Sequence, residues 1–360
     1  MKYQKKVFFA RFWLFFLSFA LLFCLYGCAG RGAGQSNEDG GLVIMTWNLH
    51  NFFDASDSGN RYDQFRASAG WSREKYLGRL NAMAAAVQKI EPVPDIIAVQ
   101  EAGSAQALED LAGALPGYQW THFANNPGAP IGLGIISRHP LKEAKAHSIN
   151  INGITAPRPV QEIRIKVNGQ PLVILNNHWK SKVGGADATE GLRKASARVV
   201  LRRVRELAET EPGLPVIILG DLNVNHDDFF RRNGVLCALL PDDPLSAALA
   251  GSELQTDFLI VSRNKPPAPH YFHEDAFVFY SPWFHTENGS FFFRNSWQTL
   301  DHFLLSSLFF SNTGWNFESF IVIDSPPFTN SRGRPAPFNP RTGTGMSDHL
   351  PLLLVLRMSE

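Results

Sequence analysis

The chain has only three cysteines in 360 residues, and their positions argue against a fold built on disulfides. Cys24 and Cys28 lie in the N-terminal segment, which leaves Cys237 alone in the rest of the chain. Disulfide-dependent domains carry an even set of spaced cysteines, and cysteine-based zinc sites need several of them. We therefore expect neither a disulfide framework nor a cysteine-based zinc site.

Other absences narrow the range of functions. No Gly-x-Gly-x-x-Gly or Walker-type loop follows a strand pattern, which removes support for a nucleotide-cofactor fold. No internal repeat occurs at a fixed period. Four of the 34 basic residues lie within residues 1–27, so the remaining chain has 30 basic and 33 acidic residues and a net charge of −3. This charge does not indicate a strongly basic protein that binds nucleic acid tightly.

The N-terminal apolar run, residues 12–26, is too short to span a membrane comfortably. The basic residues before it are Lys2, Lys5, Lys6 and Arg11. A basic start followed by a short apolar core is typical of a secretory signal peptide. The run ends at Leu25-Tyr26-Gly27-Cys28, which resembles the bacterial lipobox, a motif whose cysteine is acylated.

We therefore predict a lipoprotein signal peptide over residues 1–27, lipidation of Cys28, a flexible tether over residues 28–41 and one domain over residues 42–360. The tether is small and polar, as flexible linkers are. The domain is expected to be a monomer outside the cytoplasm, anchored to a membrane through its N-terminal lipid. An uncleaved N-terminal anchor helix is the alternative.

Strand and helix patterns are mixed along the whole domain. Strand patterns cover residues 42–47, 95–100, 118–122, 131–137, 159–167, 172–175, 215–219, 300–305 and 352–356. Helical periodicity covers residues 73–90, 105–114 and 189–209, with Ser72 as the first N-cap. Asn168-Gly169 predicts a hairpin turn. This order favours a β-sandwich flanked by helices over a doubly wound parallel sheet.

Side chains that bind metals or transfer protons stand at the ends of five predicted strands. They are Asn48, Glu101, His178, Asp221, Asn223, Asp348 and His349. Strand ends that converge on one rim can assemble a metal site together with acid–base groups. A hard cation such as Mg²⁺ takes oxygen ligands and keeps several waters. The set therefore suits metal-assisted hydrolysis of a phosphoester.

Spacing separates some of the roles. Asp221 and Asn223 are two residues apart, so an extended segment turns both side chains to one side, where they can position water and a phosphoryl oxygen. The alternative is an Asp-x-Asn turn. His178 and His349 are candidate donors to a phosphate oxygen or a developing oxyanion.

Structural explanations compete with the functional ones at the remaining positions. Asn48 offers an oxygen ligand or a fixed hydrogen bond to the metal ligand, but it can also be a turn residue. Glu101 can be a ligand or support the start of the next helix. Asp348 points away from His349 on an extended backbone, so Asp301 is the best candidate to orient that ring.

Together these segments resemble the endonuclease/exonuclease/phosphatase superfamily, which includes deoxyribonuclease I, apurinic endonucleases and bacterial sphingomyelinases. The resemblance covers residues 42–357, with motifs in family order. The matching residues are Asn48, Glu101, His178, Asp221, Asn223, Asp301, Ser347, Asp348, His349 and Pro351. It implies an α/β four-layer α/β/β/α sandwich, with two mixed β-sheets packed face to face and helices outside.

The resemblance also implies the division of labour in the site. Mg²⁺ or Mn²⁺ is expected on Glu101, assisted by Asn48 and Asp348. The residues expected to act in catalysis are His178, Asp221, Asn223, Asp301 and His349. Independently of the resemblance, Lys180 and Lys182 follow His178 closely, and they are expected to contact substrate phosphate together with Asn177.

Three functions stay open at this point. The first is a metal-dependent phosphodiester hydrolase acting on nucleic acid. The second is an exported phospholipid or sphingomyelin phosphodiesterase, which a lipid anchor also suits. The third is a catalytically inactive surface lipoprotein, and the presence of every matched acid and histidine argues against it. Phe291–Phe293, Trp283, Phe284 and Trp297 can stack on bases or touch lipid, with buried packing as the alternative.

Overall fold

The computed structural model describes residues 41–57, 59, 61–151, 153–251 and 257–359. The predicted signal peptide, Cys28 and the tether up to residue 40 lie outside the described residues. Gly41, predicted as the last residue of the tether, instead opens the first strand, where it pairs with Arg357. In the described part, no helix is long and apolar enough to cross a membrane.

Strands dominate the described part of the chain. They are β1 (Gly41–Phe52), β2 (Ile96–Ala102), β3 (Trp120–Ala124), β4 (Gly132–Ser137), β5 (Leu141–His147), β6 (Asn150–Ile151), β7 (Ile154–Thr155), β8 (Val160–Val167), β9 (Gln170–His178), β10 (Val216–Asp221), β11 (Leu239–Pro241), β12 (Leu259–Ser262), β13 (Val278–Tyr280), β14 (Phe291–Phe293), β15 (Ser296–Gln298), β16 (Asp301–Leu305), β17 (Trp315–Val322) and β18 (Leu352–Met358). The α-helices are α1 (Arg73–Val87), α2 (Ala105–Gly113), α3 (Ala186–Thr210), α4 (Asp228–Arg231) and α5 (Pro244–Ala250). Short 3-10 helices cover Asp63–Phe65, Ala67–Ala69, Pro282–His285 and Ser307–Phe310.

The described strands pair into two large mixed sheets. A six-stranded sheet has the order β17-β18-β1-β2-β4-β3, and an eight-stranded sheet has the order β11-β12-β13-β16-β10-β9-β8-β5. The pair β1–β2 is parallel, and so is the pair β9–β10. Antiparallel strands flank both pairs. Two further hairpins, β6–β7 and β14–β15, stand outside the sheets.

Alternating side chains create the four layers. Along β1, Leu42 and Ile44 belong to the core between the sheets, whereas Val43 and Met45 belong to the core shared with α1 and α2. Along β9, Ile174 faces the inter-sheet core and its neighbours face α3. Each sheet therefore buries one face on the other sheet and one on helices. This confirms the predicted α/β/β/α sandwich.

A buried polar layer crosses the inter-sheet core near the carboxyl ends of the parallel strands. Gln100 on β2 donates Nε2 to Thr46 Oγ1 (3.1 Å) and to Asn176 Oδ1 on β9 (2.8 Å). Asn176 in turn donates Nδ2 to Gln161 Oε1 (2.9 Å). All four side chains are buried. Because buried polar groups are costly without partners, this layer fixes how the two sheets are aligned.

A second buried polar group ties α3 to the eight-stranded sheet. Glu162 on β8 accepts Arg203 Nε (2.5 Å) and Nη2 (2.9 Å), and its Oε2 lies 2.7 Å from His147 Nε2. Burial alone would raise the pKa of Glu162, but the hydrogen bonds from His147 and Arg203 hold this pKa well below its ordinary value of 4.5. Arg203 also donates to the exposed Glu206 (3.1 Å).

We predict that Glu162→Gln lowers the free energy of unfolding at pH 7 by about 3 kcal/mol, since it leaves Arg203 without its buried counter-charge. The control Glu206→Gln removes the exposed partner of the same arginine and should cost less than about 1 kcal/mol. Because the folded pKa of Glu162 is depressed, its stabilisation is complete above the unfolded value and is lost as pH falls toward the folded value. Urea titrations should therefore show a smaller difference at about pH 3. A difference that does not change with pH would contradict this account.

Candidate active site

The polar strand ends of both sheets open into one pocket of about 930 Å³. Of the residues expected to bind metal, act in catalysis or contact phosphate, it is lined by Glu101, His178, Lys182, Asp221, Asn223, Asp348 and His349. Parallel strands β1, β2, β9 and β10 point their carboxyl ends at this rim, and antiparallel β16 and β18 begin there. In the ladder of the eight-stranded sheet, Asp221 stands opposite both His178 and Asp301. The sandwich thus gathers residues from distant parts of the chain.

Irregular backbone aims the residues of the six-stranded sheet. The pairing of β1 with β2 shifts register between Asn48 and Phe52, and His50, Asn51 and Glu101 take positive φ angles of 53°, 61° and 63°. Such bulges re-aim side chains at the ends of strands. The Asn51 N–H then donates to Glu101 Oε2 (2.8 Å), which fixes the carboxylate at the pocket wall.

Asn48 links the two sheets at the site itself. Its Nδ2 donates to Glu101 Oε1 (3.3 Å) and to Asp221 Oδ2 (3.1 Å), and its Oδ1 accepts the His50 N–H (2.9 Å). Of the two roles expected for Asn48, this geometry favours the hydrogen bond to Glu101, the candidate metal ligand, over direct ligation by the amide oxygen.

Asp221 and Asn223 form a tight turn at the end of β10. Asp221 Oδ1 accepts the Asn223 N–H (3.0 Å), and Asn223, with φ of 53°, donates Nδ2 to the Trp179 carbonyl (3.1 Å). Burial raises the pKa of Asp221 to about 7, with Asp301 and Glu101 adding to the rise, whereas protonated His349 and the Asn223 N–H oppose it. A buried carboxyl with this pKa can take a proton near neutral pH.

His349 is held by Asp301, the residue expected to orient it. His349 Nδ1 lies 2.7 Å from Asp301 Oδ2, and Ser290 Oγ donates to the same oxygen (2.5 Å). Burial opposes a charge on the ring, but Asp301 outweighs it and raises the pKa of His349 well above its ordinary value of 6.5. The Trp47 indole N–H also donates to the His349 carbonyl (3.0 Å), which fixes the backbone.

His178 is electrostatically the opposite of His349. Its Nε2 lies 3.5 Å from Asp221 Oδ2 and 3.8 Å from Glu101 Oε1. Burial lowers the pKa of His178 well below its ordinary value, and nearby Arg158 and His349 lower it further. The site therefore combines a neutral imidazole with a protonated one.

Two arginines, buried Arg79 and partly buried Arg158, support the site, and no sequence pattern pointed to either. Arg79 on α1 donates to the carbonyls of His50 (2.8 Å) and Asn51 (2.8 Å), which braces the bulge after Asn48. Arg158 donates to the carbonyls of His178 (3.0 Å) and Trp179 (3.2 Å). A lone arginine in a helical or loop pattern looks like a solvated residue, and only the fold brings these two under the pocket.

The predicted phosphate contacts separate in the structure. Asn177 is buried, with Nδ2 donating to the Leu175 carbonyl (2.8 Å) and Oδ1 accepting the Trp179 indole N–H (3.0 Å), so its side chain is not available to a phosphate. The period of two along β9 turns it away from His178. Lys180 lies beside the pocket, and its Nζ is 3.4 Å from Ser181 Oγ. Lys182 lines the pocket and pairs with Asp228 (2.5 Å).

Two sets of residues can hold a metal ion. Ligand atoms of Asp221, Asp301 and His349 lie within 4.8 Å of one another, so this buried cluster is one candidate. Asp301 and His349 already hydrogen-bond to each other (2.7 Å), however, so their proximity is explained without an ion. Glu101 is the alternative, because its carboxylate faces the pocket and hard oxygen donors suit a divalent cation. Asp348 lines the same pocket, with its Oδ1 3.7 Å from His50 Nδ1.

We predict that Asp301→Asn lowers the pKa of His349 toward or below 6.5, because burial then acts against the weaker effects of Asp221 and Asp348 alone. NMR titration of the histidine ring signals measures this directly. The control Asp348→Asn removes a carboxylate that contributes less to the shift and should lower the pKa less. An unchanged His349 pKa in Asp301→Asn would show that the pair is not coupled.

Comparison with known proteins places this arrangement in a family. The model of the Endonuclease/Exonuclease/phosphatase family matches residues 45–349. No curated protein sequence matches the chain. An endonuclease/exonuclease/phosphatase family protein from Bacteroides thetaiotaomicron is 19% identical, with 88% of this chain and 94% of that chain covered and a TM-score of 0.50.

Two further solved structures share the fold. The mannosyl-6-phosphatase Bt3783 of Bacteroides thetaiotaomicron VPI-5482 is 20% identical, with coverage of 88% and 99% and a TM-score of 0.50. Humanized D. rerio TDP2 is 13% identical, with coverage of 89% and 100% and a TM-score of 0.51. At these identities the likeness establishes the fold alone. The family match over most of the chain goes further: the chain belongs to the Endonuclease/Exonuclease/phosphatase family, whose members are phosphoester hydrolases.

Proposed function

We propose that the protein is a metal-dependent phosphodiester hydrolase that cleaves nucleic acid. The observation that supports this most is the position of Asn48, whose amide donates to both Glu101 and Asp221. One side chain thus holds a candidate metal ligand and a candidate base at the wall of a pocket that also contains a neutral and a protonated histidine. This combination suits attack of water on a phosphoester.

We propose Mg²⁺ or Mn²⁺ as the cofactor, held by Glu101 with Asp348 as a second oxygen donor. The donor set fits a hard cation, since both carboxylates line the pocket and the one free cysteine of the described residues, Cys237, does not. When bound, the ion would neutralise charge on the phosphate. Asn48 would keep Glu101 in position.

The protein's own side chains carry out proton transfer and hold the phosphoryl group. Asp221 takes a proton from water as the water oxygen attacks phosphorus, and Asn223 positions a phosphoryl oxygen. As the bond from phosphorus to the leaving oxygen breaks, protonated His349 donates its proton to that oxygen. Neutral His178 donates a hydrogen bond to the charged phosphoryl group. Asp301 positions His349 and stays ionised throughout.

A lipid phosphodiester is the second candidate, and a specific feature favours it. Val183 and Phe293 line the pocket with 79% and 49% of their surfaces exposed, so apolar groups stand at its mouth. Exposed apolar groups beside a site can meet a lipid surface. We also propose that the protein is an exported lipoprotein anchored through Cys28, which suits either substrate.

We predict that the full-length protein in detergent nicks supercoiled plasmid with Mg²⁺ or Mn²⁺ and that excess chelator stops the reaction. The Glu101→Gln variant should need a higher concentration of metal ion for activity, because a candidate metal ligand has lost its charge. His349→Ala should lower turnover at least about 100-fold, the usual effect of losing a general acid. The control His273→Ala changes an exposed histidine outside the pocket and should retain activity.

Parallel assays separate the substrate classes. Sphingomyelin and phosphatidylcholine vesicles test the lipid candidate. Mannose 6-phosphate tests a phosphomonoester, since one protein that shares the fold is a mannosyl-6-phosphatase. Hydrolysis of lipid or monoester without nicking would contradict the nuclease proposal. Nicking that persists in His349→Ala would remove that residue from the mechanism.

A further inference from the structure

An aromatic hairpin forms one wall of the catalytic pocket. Strands β14 and β15 pair antiparallel, and Arg294 and Asn295 between them take positive φ angles of 46° and 63°, as a tight two-residue hairpin turn requires. The base of the hairpin is fixed to the segment that carries His349. The Leu350 N–H donates to the Ser290 carbonyl (2.8 Å), and Phe291 pairs with His349. The β14–β15 hairpin therefore has a fixed position relative to the His349 ring.

The hairpin has two different faces. Phe292 points away from the pocket, where its ring packs edge-on against Trp297 (5.2 Å between centroids) beneath the Arg334 guanidinium. Phe291 and Phe293 are two residues apart, so they share the opposite face, and both line the pocket. One face supports the hairpin and the other is presented to whatever enters the pocket.

The rings on the pocket face follow one another outward from the His349 ring. The Phe291 ring lies 4.7 Å from the His349 ring at an interplanar angle of 35°. The Phe293 ring follows at 6.2 Å from Phe291, with an angle of only 22°. This series of rings begins at the ring proposed to protonate the leaving oxygen and ends at Phe293, which is 49% exposed. Nothing in packing the core requires a phenyl ring at so exposed a position.

A cation stands at the outer end of the series. The Arg294 guanidinium carbon lies 5.3 Å from the centroid of the Phe293 ring, and Arg294 lines the same pocket. Arg294 forms no ion pair within the part of the chain that the structure describes, unlike Lys182 and Arg231, which pair with Asp228 and Asp227. An unpaired cation beside a phenyl face can contact both a flat ring and a neighbouring phosphate.

We infer that Phe291, Phe293 and Arg294 form a subsite that stacks a nucleobase next to the phosphate being cleaved. The inference rests on the proposed function, because it takes the same pocket to hold a phosphodiester. Phe293 supplies the stacking surface, Phe291 connects it rigidly to His349, and Arg294 contacts the neighbouring phosphate. The protein thereby selects base-bearing strands over phosphodiesters without an aromatic group, and it reads the presence of a base rather than its identity.

The test compares two single strands with identical phosphodiesters. One is fluorescein-labelled oligothymidylate, and the other is the same length of base-free tetrahydrofuran sugar phosphate. With the full-length protein in excess chelator, we expect oligothymidylate to bind at least about fivefold more tightly, which is the lower end of what stacking of one base on an aromatic ring contributes. Phe293→Ala should abolish the preference without changing binding of the base-free strand.

Two controls isolate the stacking surface. Phe293→Trp keeps a flat ring and should retain the preference. Tyr271→Ala removes a comparably exposed ring, 55% exposed and lining a different pocket, and should behave as wild type. Equal binding of both strands by the wild-type protein, or an equal loss for both in Phe293→Ala, would overturn the inference.

Turnover with metal ion distinguishes this inference from the proposed function. If both strands bind equally and are cleaved at equal rates, the nuclease proposal is supported and the base subsite is overturned. Base-dependent binding without cleavage of either strand would support the subsite and contradict the nuclease proposal. A preference that survives in Phe293→Ala would place base recognition elsewhere and overturn the inference.

Discussion

The hydrogen bond between Gln100 and Asn176 connects the two sheets just before the strand ends that form the site. Gln100 immediately precedes Glu101, and Asn176 lies two residues before His178, so alignment of the sheets decides whether the two halves of the site meet. A slip of one residue along either strand would turn its polar end away from the pocket. The bridge by Asn48 between Glu101 and Asp221 depends on this alignment.

Charge within the site follows from the same packing. Burial removes water from Asp221 and both histidines, and what remains beside each group determines its protonation. His349 keeps its proton because Asp301 contacts it, whereas His178 loses its proton because burial and the nearby Arg158 both disfavour a charged ring. A buried site with an uncharged and a charged imidazole can stabilise a phosphoryl group and protonate a leaving oxygen without rearrangement. The family assignment rests on the chain as a whole, and the substrate class depends on the walls of the pocket.

The sequence predicted the layers and the strand ends, because the spacing of apolar residues and the polar residues at the ends of strands are both local signals. It missed β5 and β17, which are edge strands of mixed composition with few alternating apolar residues. It also missed β11, β12 and β13, which are only three or four residues long and too short for a periodic signal. It misjudged Asn177, although the period of two along β9 already places this side chain opposite His178. Arg79, Arg158 and Ser290 could not be identified, because their roles consist of contacts with distant segments. The Asp301–His349 pair was predicted because Asp348 points away from His349 on an extended backbone, and the family resemblance supported the same pair.

A double-mutant cycle between Gln100 and Asn176 tests most directly whether the inter-sheet bond sets the alignment of the site. Free energies of unfolding would be measured for Gln100→Ala, Asn176→Ala and the double variant. We expect a coupling energy of at least about 1 kcal/mol between Gln100 and Asn176, as for residues that hydrogen-bond to each other. Additivity within about 0.5 kcal/mol would contradict the account, since the two sheets would then be aligned by the apolar core alone.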